Sequence, residues 1–265
     1  FVYPSMDRSL MMTPGVTRDF VAGVLGDVML VNGTPWPVTE VEGTSYRLRL
    51  LNASNARRLD LRFDPALPGG FVQIGTDGGL LASPIAHEHF ELAPAQRVDA
   101  IVDFSGSAPG TAVTMLNDFG DGDMSQVMRF IVGDGVPDPF ALPDTLSSIE
   151  TLAAEGAVTR TFRFRSGDVR HQKGWLIDGQ PFRPDSIAAA PALGSVEVWR
   201  LIADFHHPVH VHLSPFQVLS RGIGGPGAFD AGWKDTIDLR PSEEAQIVIR
   251  FDGYRGKYVF HCHNL

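Results

Sequence analysis

Short runs of Val, Ile, Leu and Phe recur along the chain and are cut by Gly, Pro, Asn and Asp at intervals of roughly 8–12 residues, the rhythm of β-sandwiches and barrels. Residues 46–51 and 97–104 alternate apolar and polar positions, as a strand with one buried face requires. Phe71-Val72-Gln73-Ile74, followed by Asp77-Gly78-Gly79, reads as a strand entering a tight turn. Long helical periodicity is absent. Further strands are expected at 158–164, 195–202, 216–220, 245–251 and 257–261.

The pattern breaks between Gly133 and Gly156. There Pro137, Pro139 and Pro143 remove backbone donors and discourage a sheet ladder, which predicts an interdomain connector over 136–156 between domains at 1–135 and 157–265. Two related phrases, Val31-Asn32-Gly33-Thr34-Pro35-Trp36-Pro37 and Ile177-Asp178-Gly179-Gln180-Pro181-Phe182, precede alternating strands in the two parts. They fit either two copies of one β-fold or a shared turn type.

With 265 residues, 43% of them hydrophobic, the chain can bury one or two cores. Acidic residues outnumber basic ones 31 to 22, so nucleic acid and anionic membrane are unfavourable partners. No apolar stretch approaches the ~18 residues of a spanning helix, and the expected chain is soluble. One cysteine excludes an intrachain disulfide and leaves the compartment open.

That cysteine sits in His261-Cys262-His263, and an earlier segment reads His207-Pro208-Val209-His210-Val211-His212. Six of nine histidines fall at or after position 206. Residues two apart on a strand share a face. His210 and His212 therefore share one face and His207 takes the other; His261 and His263 share a face opposed to Cys262. If the strands are neighbours, four imidazoles converge on one side and His207 with Cys262 on the other. A thiolate with imidazole suits copper or zinc, and an all-imidazole site suits copper, which can activate dioxygen.

These segments resemble the third cupredoxin domain of multicopper oxidases, including laccases and bilirubin oxidases. Val31 to Pro37, Arg49-Leu50-Leu51-Asn52-Ala53-Ser54-Asn55, Gln73 to Leu81 and Leu92-Ala93-Pro94-Ala95-Gln96-Arg97 resemble the second domain of bacterial spore-coat laccases, and Trp233-Lys234-Asp235-Thr236 their third-domain loop. The resemblance implies an all-β protein of two cupredoxin-like Greek-key sandwich or barrel domains. It further implies that His207 and Cys262 ligate type 1 copper, His210 type 2 copper, and His212, His261 and His263 the type 3 pair, with His261, Cys262 and His263 carrying catalysis. The implied activity is one-electron oxidation of phenols, aromatic amines, bilirubin-like pigments or metal ions, coupled to reduction of dioxygen to water.

In that family eight histidines hold the trinuclear cluster, and four come from a first domain. This sequence supplies four, and Leu265 comes before the further type 1 histidine and axial residue. The expectation is that the polypeptide as printed does not assemble an active oxidase alone and that a first cupredoxin domain of the same parent is its partner. A non-catalytic copper-binding or structural cupredoxin pair is the competing reading. Copper nitrite reductase fits less well, because histidines on both sides of Cys262 imply a type 3 pair. The family is found secreted, in the periplasm or in the spore coat.

Other residues carry plainer expectations. His87-Glu88-His89 reads as ordinary strand or surface histidines, His206 as a loop or outer histidine, and His171 as exposed. Trp175 and Trp199 read as core aromatics, and Met6, Met11, Met12, Met29, Met115, Met124 and Met128 as gap-filling or loop residues. The glycine-rich segment 222–227 precedes no helix and is no phosphate cradle, while the resemblance places it near the type 1 site, facing substrate.

Overall fold

The computed structural model describes residues 2–3, 23, 25–135, 141–169 and 172–264. His171, Met6, Met11, Met12 and connector residues 136–140 lie outside the described residues. The described residues are all-β apart from one 3-10 turn, Gly122–Ser125. None of their helices is long and apolar enough to cross a membrane.

A small antiparallel set contains β1 (Val2–Tyr3), β2 (Val28–Val31) and β3 (Thr34–Pro35). There follow β4 (Val38–Val41), β5 (Ser45–Leu51), β6 (Leu59–Asp64), β7 (Phe71–Thr76), β8 (Gly79–His87), β9 (His89–Leu92), β10 (Arg97–Asp103), β11 (Ala112–Asn117) and β12 (Gln126–Val132). These make one sheet in the order β5-β10-β7-β8 and a second in the order β4-β12-β11-β6-β9. The expected alternation is visible in β10, where Val98, Ala100 and Val102 are buried and Arg97, Asp99, Ile101 and Asp103 are half-buried. Phe63, Phe71, Phe104 and Phe130 stack between the two sheets with centroid spacings of 4.5 to 6.4 Å. Each buried ring contributes on the order of 1.5–3 kcal/mol by leaving water.

The later strands are β13 (Val158–Val169), β14 (Gln172–Ile177), β15 (Val196–Ala203), β16 (His207–Val211), β17 (Phe216–Arg221), β18 (Thr236–Leu239), β19 (Glu244–Arg250) and β20 (Phe260–Cys262). One sheet has the order β14-β13-β15-β19-β17 and the other β18-β16-β20. A second apolar core fills the space between them, with Trp199, Leu201, Phe216, Ile237, Leu239, Ile247 and Ile249 buried. Trp199 is the core aromatic expected, and its indole N–H donates to Glu197 at 3.0 Å.

Asn32 and Gly33, like Asp178 and Gly179, hold φ values of 51° to 85°, the double left-handed pattern of a type I′ hairpin turn. The two phrases thus make the same turn. The last strand is shorter than its sequence suggests, beginning at Phe260 rather than 257. Its partner β16 pairs only from Val209 to Val211; one further bond, from His212 N–H to the Val259 carbonyl at 3.1 Å, precedes Leu213, which at φ 71° turns the chain away.

Candidate metal centre

Strand β16 lies between β18 and β20, so both histidine-bearing segments are neighbours in one sheet. Val209 pairs with Cys262 and His210 with His261. Side chains directly opposite share a face, so the register puts Cys262 on the core side with Val209 and His261 on the other side with His210.

On the core side His207 is fully buried, and its Nδ1 lies 3.2 Å from Cys262 Sγ. Its Nε2–H donates to Asp204 Oδ1 at 2.9 Å. A carboxylate only accepts, so the neutral ring carries its proton on Nε2 and turns the Nδ1 lone pair to the sulfur. The Trp175 ring packs edge-on against His207, at 4.9 Å and 77°. Burial lowers the basicity of His207 below the ordinary imidazole range, against the opposing pull of Asp204. Burial also pushes the Cys262 thiol up to about 12, only partly offset by the Asn264 N–H, 3.5 Å from the sulfur. A thiol so placed stays protonated unless a cation takes the proton's place.

On the opposite side four imidazoles gather. Ring centroids are separated by 4.7 Å for His210 and His212, 5.6 Å for His210 and His261, 5.4 Å for His212 and His261, and 5.5 Å for His261 and His263. His261 Nδ1–H donates to the Cys262 carbonyl at 3.0 Å, leaving its Nε2 lone pair 3.3 Å from His212 Nε2. His263 Nδ1 is buried without a hydrogen-bond partner. Burial first, then the neighbouring rings, lowers the basicity of His212, His261 and His263. Four crowded imidazoles, one of them with an orphaned buried ring nitrogen, fit copper in donor type. Among the described residues, however, no three His, Cys, Asp or Glu side chains are grouped so as to hold one metal ion by themselves.

A family profile described as multicopper oxidase matches residues 154–265. The laccase of Bacillus subtilis is 33% identical over 278 residues, covering 92% of this chain and 53% of that protein. The bilirubin oxidase of Albifimbria verrucaria is 33% identical over 268 residues, covering 91% and 46%. The crystal structure of a multi-copper oxidase from Pediococcus acidilactici matches with a TM-score of 0.82 at 31% identity, across 92% of this chain and 51% of that one.

The chain is a relative of the multicopper oxidases. Its sheets match the cupredoxin-type sandwiches of that family's structures, and it spans about half the length of the curated relatives it matches. All six histidine and cysteine positions singled out from the multicopper-oxidase motifs are drawn together by β16 and β20, on the two faces that strand parity predicts.

The remaining histidines go elsewhere. His206 sits 3.2 Å from Asp238, in a cluster with Arg58, and its carbonyl accepts from Asn264 Nδ2. His87 contacts Gln73 Oε1 at 3.1 Å and His89 contacts Asp60 Oδ1 at 2.6 Å, while both rings lean on Phe229. Phe229 enters the first core from the later half of the chain.

A groove of about 1300 Å³ runs past His207 and Cys262, walled in part by Trp175, Phe182, Leu193, Tyr254 and Tyr258. Residues 222–227, expected to face this side, do not line it. Their backbone is tied instead to Arg221 and Asp230, through Gly224 N–H to the Arg221 carbonyl and Gly227 N–H to Asp230 Oδ2. A smaller cavity of about 300 Å³ opens beside His210 and His212 and is also lined by Asp77, Gly78 and Asp235.

Sequence reasoning missed Asp204, Asn264 and the packing of Trp175 on His207. Asp204 stands three residues before His207, a spacing that gave a usable signal; the other two depend on where distant loops fold.

Proposed function

We propose that this chain is the copper-binding cupredoxin pair of a laccase-like multicopper oxidase, divided into units at 1–135 and 157–265 by a connector at 136–156. His207 and Cys262 serve type 1 copper, His210 serves type 2, and His212, His261 and His263 serve the type 3 pair. The observation that carries this reading is the β16–β20 register, which sets Cys262 and its flanking histidines on opposite faces of one strand.

Taken by itself the chain is a binding and structural unit without turnover. Among the described residues its donors meet in pairs, His207 with Cys262 and His212 with His261, rather than in the sets of three that hold an ion firmly. Further imidazoles from a first cupredoxin domain of the parent complete the set around His210, His212, His261 and His263. Copper, when bound, supplies one-electron redox chemistry and dioxygen activation.

The chain's own residues then do three things. Asp204 and the Asp235 carbonyl orient the rings of His207 and His210; Cys262, with a histidine on each side, gives a covalent path between the two donor sets; and the apolar groove beside His207 admits a small electron donor. Phenolic or other aromatic donors match the walls of that groove, and they accord with the laccase and bilirubin oxidase among the relatives.

The test is to load the full-length parent protein with copper, then measure blue absorbance and oxygen uptake with a phenolic donor. Neither signal in a fully folded, copper-replete protein would reject the oxidase reading. Copper retained by residues 1–265 expressed alone, without oxygen uptake, is the result expected for the isolated pair.

A further inference from the structure

The earlier half of the chain places a guanidinium against the segment that orients His210. Arg97, the first residue of β10, donates from Nη1 to Asp235 Oδ1 at 2.7 Å and from Nη2 to Asp235 Oδ2 at 2.6 Å, a bidentate fork. The same group donates to the carbonyls of Ala95 at 3.0 Å and Asp77 at 3.1 Å, which fixes its plane. Behind it the wholly buried Asp77 carboxylate accepts the Arg97 N–H at 2.7 Å and those of Asp235 and Thr236 at 3.3 Å each.

The direction of each bond follows from its partners. Asp235 can only accept, so in its 2.9 Å contact with Thr236 Oγ1 the hydroxyl is the donor. With its one proton committed, the Thr236 oxygen faces His210 Nδ1 at 2.9 Å as an acceptor. The Asp235 carbonyl, 3.0 Å from the same nitrogen, is an acceptor as well. The Asp235 carboxylate Oδ1, 3.4 Å from Nδ1, is a third. All three neighbours therefore favour a proton on Nδ1 and a lone pair on Nε2.

We propose that Arg97 is a positioning residue for His210: through the Asp235 carboxylate and the Thr236 hydroxyl it holds the imidazole in the Nδ1–H tautomer, with Nε2 left as the donor atom for metal. The consequence for copper rests on the role proposed above for His210; the tautomer is a property of the metal-free protein. Without the guanidinium the Asp235 carboxylate is free to rotate, the Thr236 proton is released from it, and that hydroxyl can donate to His210 instead. A residue that merely joined the two halves would not select a tautomer.

The experiment is long-range proton–nitrogen NMR on metal-free, full-length protein with labelled histidine, at about pH 8, where imidazole is neutral. In the unsubstituted protein His210 is expected as the Nδ1–H form. Arg97→Gln should raise the Nε2–H form about fivefold or more, the scale of one hydrogen bond, and Arg97→Lys by less. Thr236→Val should cut the dependence, so that Arg97→Gln added to it shifts the tautomer less than in the unsubstituted background.

An Nε2–H ring in the unsubstituted protein, an unmoved tautomer in Arg97→Gln, or an equal shift in the Thr236→Val background would overturn the proposal. Should Arg97→Gln not fold, Arg97→Lys with and without Thr236→Val makes the same comparison. Loading the same samples with Cu(II) separates the two readings. A shifted tautomer in a protein that binds no copper leaves Arg97 as the positioning residue and rejects the oxidase.

Discussion

His210 and His261 face each other directly across the β16–β20 ladder, with ring centroids 5.6 Å apart, while their neighbours Val209 and Cys262 form the next pair on the opposite face. A one-residue slip would exchange the two faces and disperse both donor sets, so register here is a functional quantity. The wall of buried β-branched and aromatic residues under Val209 holds it.

Cys262 is the single thiol and lies among apolar neighbours that keep it protonated. In the metal-free folded protein at about pH 8, thiol reagents should modify it more slowly than the unfolded chain, on the order of a hundredfold or more. Equal rates would mean that the pocket is open. Cys262→Ser in the copper-loaded parent should remove the blue absorbance while leaving the melting temperature of the metal-free form nearly unchanged.

Asp204 holds Nε2 of His207 and so aims Nδ1 at the sulfur. Asp204→Ala should weaken copper retention at that site by about 10–100-fold, the usual effect of losing a histidine's orienting partner. Competition with a chelator of known affinity measures it, and an unchanged affinity would show that packing against Trp175 alone suffices to orient the ring.

Gly78 closes the β7–β8 hairpin against the 233–236 segment, donating its N–H to the Trp233 carbonyl at 2.7 Å. A Cβ there would come within 2.4 Å of Trp233 Cβ and 2.6 Å of its carbonyl oxygen. Gly78→Ala should cost about 1–3 kcal/mol in denaturant unfolding. Faster hydrogen exchange at the amides of Asp235 and Thr236 should accompany it, because the backbone that orients His210 must shift.

Buried Asp230 is paired with Arg221 at 2.6 Å. Burial acts to raise the Asp230 carboxyl, but the guanidinium outweighs it and holds the group below the usual carboxylate range. A depressed folded value gives stability that is present above the unfolded value, about 3.9, and lost as pH falls through the folded one. Asp230→Asn should therefore destabilise the protein at neutral pH, by about 3 kcal/mol for a broken buried pair, and flatten the fall in melting temperature below about pH 4. A variant whose acid unfolding keeps the full slope would place that sensitivity in other carboxylates.

The truncation Ile247→Ala, in the centre of β19 at zero exposure, should cost about 2–5 kcal/mol. Its effect on copper binding should be confined to what lower stability explains. A specific loss of copper at native temperature would tie this core position to the metal site.

Much of this protein is local in origin. The alternation of residues 97–103, the Asn-Gly and Asp-Gly turns and the spacing of His207, His210 and His212 each fix a strand, a turn or a face through bonds and side-chain directions a few residues long. Parity alone was enough to separate Cys262 from its flanking histidines. What parity could not give was which strands are neighbours, because pairing of β16 with β20 joins residues some fifty positions apart. The aim of His207 by Asp204 and Trp175, the early end of the ladder at Leu213, and the reach of Arg97 to Asp235 likewise exist only once distant segments pack. The sequence by itself determined the chemistry of the donors and the faces they occupy; the tertiary structure decided which lone pair each imidazole presents, because that depends on partners brought close only by folding.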